Sequence, residues 1–252
     1  HHLSADTFAQ VAPLFIGKRY GLTATVERND GLESLYLAHL GGVFFSDLEG
    51  DLKASVVFKE LGTPQPTGIT DRSGRLKIHA LYESLRNSEE RNSAMMAEFK
   101  AALDKGRKIL VLSHSVELLQ QLYDKMRVSE RECGLVTGAT PGPLRTKTIR
   151  DNKISFASIQ VATEGLSVSE LDTLFLITPF KSWPIMQQCV GRIERQHPGK
   201  KSPLAVVFED VNCPPARAMC NALRRDLKRF NYSVTKVAFK KAGKLKGTNR
   251  NV

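Results

Sequence analysis

The sequence has few of the features that secreted or metal-binding proteins share. It contains four cysteines in 252 residues, none of them in a Cys-x-x-Cys pair, and no cluster of histidines lies near them. Sparse cysteines of this kind are typical of reduced thiols in a reducing compartment. We therefore expect neither disulfides nor a metal site formed by this chain.

Long apolar stretches are also missing. No run approaches the roughly 20 residues that a membrane-spanning helix requires, and no signal peptide opens the sequence. The hydrophobic share of 41% and the charged share of 25% are ordinary for a soluble globular protein. These features predict a globular chain with no membrane partner.

A phosphate-binding P-loop cannot be found. Such a loop needs the pattern Gly-x-x-x-x-Gly-Lys-Ser/Thr. The nearest candidate is the Gly-Lys-Lys-Ser at residues 199–202, which has Glu194 at the place of the first glycine and precedes a predicted strand instead of following one. We therefore expect that these residues alone neither bind ATP tightly nor hydrolyse it.

Acidic residues are in deficit. The sequence has 37 lysines and arginines against 26 aspartates and glutamates, which gives a formal net charge of +11 and a pI near 9.6. An excess of this size predicts a polyanionic partner, and nucleic acid is the leading candidate.

Short apolar runs alternate with amphipathic segments along most of the chain. The predicted strands cover residues 20–24, 54–61, 108–112, 134–138, 154–158, 171–177 and 203–208. The predicted helices include 93–103, 117–126 and 216–230, and residues 139–143 are predicted to form a loop. Strands that alternate with helices form βαβ units and a parallel sheet. The pattern therefore predicts an α/β fold with helices flanking a parallel sheet.

One basic segment stands out near residue 190. It reads Gln-x-x-Gly-Arg-x-x-Arg, with Gln188, Gly191, Arg192 and Arg195 at the fixed positions. In a helix, residues three and four apart share a face, so one carboxamide and two guanidinium groups would point the same way. Forked guanidinium donors match phosphate oxygens, although a solvated basic helix face is an equally ordinary explanation.

This segment resembles motif VI of the superfamily 2 helicases and translocases. Other segments are similar to further motifs in the same order. Residues 18–25, with Thr23 and Thr25, resemble motif III, and residues 27–31 extend this match. Residues 108–126 resemble motif IV. Residues 161–167 resemble motif V, with Ser167 where the family usually has Asp. Arg-x-Asp-Gly at residues 28–31 and Arg-Asn at 91–92 are typical of the XPB-like and phage-type branch.

The resemblance implies a RecA-like fold and a domain division. Residues 1–61 would be the end of a first RecA-like, ATP-binding domain, and the breaker-rich residues 62–75 a linker. Residues 76–230 would be the second RecA-like, helicase C-terminal domain, followed by a final strand and basic tail over 231–252. His1 and His2 would follow the Asp-Glu of motif II, or else be the remnant of a purification tag.

The resemblance also implies roles for individual residues. The catalytic set that reaches ATP would be Arg195, Arg192 and Gln188. The remaining contacts to the cofactor would come from Gly165, Ser167, Gly191, Thr23, Thr25 and His1. ATP and Mg²⁺ would be held mainly by a preceding P-loop domain. Residues at strand ends would grip the phosphate backbone of DNA without sequence preference, although each one could equally be a turn or capping residue: Ser113, His114, Thr137, Gly138 and Ser158.

Together these features predict part of an ATP-dependent DNA helicase or translocase. It would couple ATP hydrolysis between two RecA-like domains to movement on DNA, in repair, recombination or replication. It would act in the cytoplasm of a bacterial or phage-infected cell, or in the nucleus of a eukaryote. The alternatives are an RNA helicase of the same superfamily, the motor subunit of a restriction or nuclease complex, and a non-catalytic nucleic-acid-binding module.

Overall fold

The computed structural model describes residues 14, 16–22, 33–45, 52–163 and 166–238. Within these ranges it contains seven strands: β1 Ser55–Leu61, β2 Ile109–Ser113, β3 Cys133–Val136, β4 Ile154–Ser158, β5 Thr173–Leu176, β6 Leu204–Asp210 and β7 Ser233–Val237. The helices of the same ranges are α1 Glu33–Leu40, α2 Ile78–Arg86, α3 Glu89–Asp104, α4 Val116–Met126, α5 Gly142–Asp151, α6 Ile159–Thr163, α7 Trp183–Val190 and α8 Pro214–Arg229.

All seven strands belong to one sheet. Their order is β3-β4-β2-β5-β6-β1-β7, and every neighbouring pair is parallel. The three central strands β2, β4 and β5 are buried at every position, which explains why their sequences are continuous apolar runs without alternation. The outer strand β7 is mostly exposed and carries Lys236, as suits a sheet edge.

Helices cover both faces of the sheet. Alternate residues of a strand point to opposite faces. Leu110 and Leu112 of β2 join one core, which also contains apolar residues of α7 and α8. Ile109 and Val111 join a second core with residues of α3 and α4. The result is a three-layer α/β/α architecture, in agreement with the predicted fold class.

The position of β1 differs from the prediction. The prediction is that residues 54–61 end a first domain, whereas β1 pairs with β6 through seven residues and with β7 through five. Its inward residues Val56 and Phe58 are fully buried in the core that α7 and α8 share. A boundary directly after residue 61 therefore cannot be correct, because β1 is an internal strand of the sheet that follows.

The segment after β1 is anchored by a buried ion pair. Arg91 at the start of α3 and Asp210 at the end of β6 are 1% and 0% exposed, and Arg91 Nε lies 2.8 Å from Asp210 Oδ1. Thr63 Oγ1 donates to the same carboxylate oxygen at 2.6 Å, and Arg91 Nη2 donates to the Ile177 carbonyl at 2.6 Å. Each of these hydrogen bonds offsets part of the free-energy cost of burying the two charges. The predicted linker is thus fixed to the sheet where it begins.

Three helices were not predicted. Residues 78–86 form α2, residues 159–163 form α6, and the Pro-Gly-Pro of residues 141–143, which suggested a loop, instead begins α5. The predicted strand over 20–24 is not seen at residues 20–22, and its remaining residues lie outside the described ranges. No helix in the described part of the chain is both long and apolar enough to cross a membrane.

Candidate functional site

The basic segment near residue 190 is not one continuous helix. α7 begins after Ser182, whose hydroxyl accepts from the Ile185 N–H, and it ends at Val190. Tight turns follow, because the N–H of Ile193 bonds to the Val190 carbonyl at 2.9 Å and the Ile193 side chain is fully buried. The expectation that Gln188, Arg192 and Arg195 share one helix face is therefore wrong. Only Gln188, which is half-buried, lies on the helix.

Arg192 is engaged by the backbone of the neighbouring segment. Its Nε donates to the Ala162 carbonyl at 2.6 Å, and its Nη1 donates to the Leu166 carbonyl, also at 2.6 Å. Burial, helped by the charge of Arg195, lowers the pKa of the Arg192 guanidinium. The two bonds span the segment that resembles motif V. Arg192 therefore joins that segment to the end of α7.

Arg195 has a different environment. Its Nη1 donates to the Ser167 hydroxyl at 2.6 Å in an exposed contact. Its carbonyl accepts from Lys200 Nζ at 2.6 Å, which ties the turn to the residues before β6. The structure therefore brings Arg195, Arg192 and Ser167 together. Gly191 caps the helix with a negative φ of −57°, so its backbone conformation does not itself require glycine.

An acidic residue between the two arginines was not singled out from the sequence. Glu194 Oε1 accepts from the Ala54 N–H at 2.9 Å, and Oε2 accepts from the Tyr232 hydroxyl at 3.3 Å. Burial raises the pKa of this carboxyl above its ordinary value. Glu194 thus connects the arginine turn to the start of β1 and to the residue before β7. Its position as a lone acid in a basic motif was the signal available in the sequence.

The predicted nucleic-acid residues meet at the carboxyl edge of three adjacent strands. Ser113 of β2 and Ser158 of β4 are direct partners in the sheet, and β3 pairs with β4 just before Thr137. However, Ser113 is 0% exposed and Ser158 is 3% exposed. The Ser113 hydroxyl accepts from the Ser115 N–H at 2.9 Å, as a local turn residue does. Direct contact between these two hydroxyls and a phosphate backbone therefore does not agree with the structure.

The loop after β3 is open to solvent. Gly138 is exposed, and a side chain added there would meet no atom within 4 Å. Arg145 of α5 donates to the Gly138 carbonyl at 2.9 Å and to the Thr140 carbonyl at 2.8 Å, while the Thr140 hydroxyl accepts from the Thr137 N–H at 3.0 Å. The loop is thus held by its own side chains, and Gly138 leaves room for a close approach from outside.

His114 follows Ser113 at the same edge. Its backbone N–H donates to the Thr178 hydroxyl at 2.9 Å, and its ring stacks on the Tyr82 ring with centroids 5.9 Å apart. Partial burial lowers the pKa of the imidazole. His114 nevertheless remains exposed, whereas Tyr82 and Phe180, whose rings contact the His114 ring, are buried.

Four predicted site residues lie outside the described ranges: His1, Thr23, Thr25 and Gly165. All four cysteines are free thiols buried in the core. Among the described residues, no group of three or more His, Cys, Asp or Glu side chains could hold a metal ion.

No protein-family profile matches the chain. The chain is 23% identical over 212 residues to a protein of Escherichia phage T5 described as probable helicase D10, and the match covers 82% of this chain and 46% of that protein. The chain therefore spans about half the length of this curated relative.

Solved structures share the fold. Dbp5 of S. cerevisiae, bound to RNA and ADP BeF3, superposes with a TM-score of 0.60 at 13% identity, over 92% of this chain and 56% of that one. T4 UvsW superposes with a TM-score of 0.56 at 18% identity, over 82% of this chain and 45% of that one.

The fold is thus that of a RecA-like helicase domain, as predicted. The chain is also similar in sequence to a phage protein described as a probable helicase, and both findings agree with the predicted resemblance to the C-terminal domain of superfamily 2 helicases.

Proposed function

We propose that this chain supplies the second motor domain of an ATP-dependent DNA helicase or translocase. The observation that carries the proposal is the half-buried Arg195, whose guanidinium donates to the Ser167 hydroxyl in an exposed contact at the end of the segment that resembles motif V. An arginine oriented in this way at the edge of a RecA-like domain can stabilise negative charge on a nucleotide held by a second domain. The turn that presents it is fixed by Ile193, Glu194 and Lys200.

The two arginines then have different tasks. Arg195 would contact the phosphates, whereas Arg192 would position the segment from Ala162 to Leu166. Gln188, on the last turn of α7, would belong with the two arginines to the catalytic set, and Gly191 and Ser167 would contact the cofactor. The same proposal extends to His1, Thr23, Thr25 and Gly165, which belong to the resembling motifs.

ATP and Mg²⁺ fit this site only in part. The positive guanidinium of Arg195, whose contact with Ser167 is open to solvent, suits a polyphosphate, and the bound nucleotide would supply the phosphoryl group whose transfer drives motion. Within the described residues nothing suits Mg²⁺, which prefers carboxylate oxygens and water. The metal and most of the nucleotide contacts would therefore come from a first RecA-like domain, of which the residues before β1 would be the end.

The nucleic acid would lie along the carboxyl edge of β3, β4 and β2. Gly138 and Thr137 offer an open loop there, and His114 offers an exposed ring. We propose DNA over RNA because the motifs resemble the XPB-like and phage-type branch, and repair, recombination or replication as the setting. The RNA alternative is an outcome of the experiment below.

The test uses a protein in which this chain follows a first RecA-like domain with its own P-loop. ATP hydrolysis is measured alone, with single-stranded DNA and with RNA, and displacement of a labelled strand is followed in parallel. We expect DNA to stimulate hydrolysis more than RNA does. The 252-residue chain by itself serves as the control and should hydrolyse no ATP, because it contains no P-loop.

Stimulation by RNA alone would assign the chain to an RNA helicase. Hydrolysis that neither nucleic acid changes would contradict the motor function altogether. ATP hydrolysis by the 252 residues alone, lost when Arg195 is changed, would show that the nucleotide site is complete within this chain.

A further inference from the structure

Three rings form a cluster at the carboxyl edge of the sheet, which we name the aromatic platform: Tyr82, His114 and Phe180. The rings of Tyr82 and His114 are nearly parallel, with an interplanar angle of 18° and centroids 5.9 Å apart. The His114 and Phe180 centroids are 5.3 Å apart at 59°. The cluster brings together α2, the end of β2 and the loop after β5.

The platform holds its exposed member rigidly. Tyr82 is 8% exposed and Phe180 is 6% exposed, so both are part of the core, and the Tyr82 hydroxyl donates to the Pro179 carbonyl at 3.1 Å. The His114 N–H donates to the Thr178 hydroxyl at 2.9 Å, and Thr178 itself is 2% exposed. His114 is thus the one residue of the platform that remains exposed to solvent. A ring fixed in this way loses little conformational entropy when a ligand stacks on it.

Basic and acidic side chains both surround the platform. His79 and Arg86 lie one helical turn before and after Tyr82 on α2, and the exposed Lys181 follows Phe180. Two acids lie nearby: Glu83, whose Oε1 is 3.9 Å from Arg86 Nη2, and Glu117, whose carboxylate accepts from the Ser115 hydroxyl at 2.8 Å. Lys181 is thus the cation of this set that follows a platform residue directly. Cations beside an aromatic surface are the combination that binds single-stranded nucleic acid.

We infer that His114 is a base-stacking residue, on which an unpaired nucleobase of a single-stranded nucleic acid packs. This inference rests on the proposed function and names the part of the nucleic acid that the site reads. A base stacked on a π-face needs no particular sequence, which suits a motor domain. Because burial lowers the pKa of the imidazole, the ring is neutral near pH 7 and is better suited to stacking than to an ion pair with phosphate.

The experiment measures binding of the 252-residue chain to two labelled strands of equal length by fluorescence anisotropy. One is oligothymidylate, and the other is an abasic deoxyribose-phosphate chain with the same charge. For oligothymidylate, His114→Gln should weaken binding about fivefold to 100-fold, whereas His114→Phe should bind like the native chain. Neither substitution should change binding of the abasic strand by more than about twofold.

A matched control is His197→Ala. His197 is also an exposed histidine, but it lies in the turn between α7 and β6, away from the platform. It should leave the affinity for both strands unchanged. Thermal melts of all variants report whether they fold. Both the Phe and the Gln variant lack the imidazole, but only the Phe variant keeps an aromatic ring, so their comparison isolates the effect of stacking.

Three results would overturn the inference. The first is equal binding of oligothymidylate by the native chain and His114→Gln. The second is an equal loss on both strands, because it would indicate a phosphate contact. The third is a loss with His114→Phe as large as with His114→Gln. If the native chain binds neither strand, the proposed nucleic-acid function fails as well, whereas the three results above leave that function standing.

Discussion

Arg192 and Arg195 show how differently two residues of one short motif can be used. Arg192 donates to two backbone carbonyls, those of Ala162 and Leu166, and is half-buried. Arg195 makes one exposed hydrogen bond, to the hydroxyl of Ser167. Arg195 is half-buried as well, but a guanidinium bound to buried carbonyls contributes to the folded state, whereas one that makes an exposed hydrogen bond contributes little to stability. The two residues can therefore be separated by experiment.

We predict that the two alanine substitutions affect different quantities. In a protein with both RecA-like domains, Arg195→Ala should lower ATP turnover by about 10³-fold or more, with a stability change within about 0.5 kcal/mol. Arg192→Ala should lower the free energy of unfolding by about 1.5–3 kcal/mol, because it leaves two carbonyls without their donor. Steady-state turnover at saturating DNA and urea denaturation measure the two quantities.

Arg195→Lys is the conservative control. It should restore little activity, because an ammonium group cannot reproduce the planar fork of guanidinium donors. Turnover of Arg195→Ala within about threefold of the native value, a barrier change below about 1 kcal/mol, would remove Arg195 from the nucleotide site.

At the scale of helices and strands, local patterns predicted most of the domain. The central strands were identifiable because each is a short apolar run between breakers, and α3, α4 and α8 follow helical periodicity. The start of α5 was missed because Pro-Gly-Pro is typical of a loop, although proline in the first turn also favours a helix. Contacts between distant parts of the chain could not be predicted in the same way. The pairing of β1 with β6 depends on a strand far along the chain.

The end of α7 illustrates the same limit at the site itself. Helical spacing was assumed through Arg195, but Ile193 enters the core and turns the chain after Val190. The family resemblance assigned Arg192, Arg195 and Ser167 to one site, and the structure places them together. Their geometry could not be predicted from helical spacing, since the contacts of Glu194 depend on Ala54, at the start of β1, and on Tyr232, before β7.

Glu194 is the contact that ties these elements together. It accepts hydrogen bonds from the N–H of Ala54, at the start of β1, and from Tyr232, before β7. Burial raises its pKa, and the charges of Lys53 and Lys200 with the two hydrogen bonds offset only part of that shift. The folded state therefore holds the proton of Glu194 more tightly than the unfolded state does. Ionisation of Glu194 disfavours folding. Its titration therefore lowers the free energy of unfolding as pH rises from about 4.5 through the raised pKa.

We predict that Glu194→Gln and Glu194→Ala differ in sign at neutral pH. Glutamine keeps an acceptor for Ala54 and a partner for Tyr232 without the buried charge, so its stability should equal or exceed that of the native chain. Alanine leaves both groups without a partner and should cost about 1–3 kcal/mol. Urea denaturation from pH 4 to pH 8 should show the Gln variant gaining on the native chain as pH rises. A constant difference across this range would contradict the inferred ionisation.

At the scale of the whole molecule, the excess positive charge is not confined to one edge of the sheet. The chain carries +11, and exposed cations lie on both edges of the sheet. Lys181 follows β5 at the carboxyl edge, beside the aromatic platform, whereas Lys228 lies near the end of α8, toward the amino edge. Because the two lysines are both exposed, they offer a matched pair for locating the nucleic-acid path.

The binding of single-stranded DNA should be sequence-independent and should weaken steeply with salt. Release of counterions gives a slope of log K against log salt of about −0.7 for each phosphate contacted, so three to five contacts predict about −2 to −3.5. Lys181→Glu should weaken binding and reduce the magnitude of the slope by about 0.7, because one phosphate contact is lost. Lys228→Glu, which makes the same change of charge, should leave both quantities nearly unchanged. Anisotropy titrations across a salt series measure the slopes. Equal effects of the two substitutions would show that net charge alone attracts the strand and that the carboxyl edge is not its path.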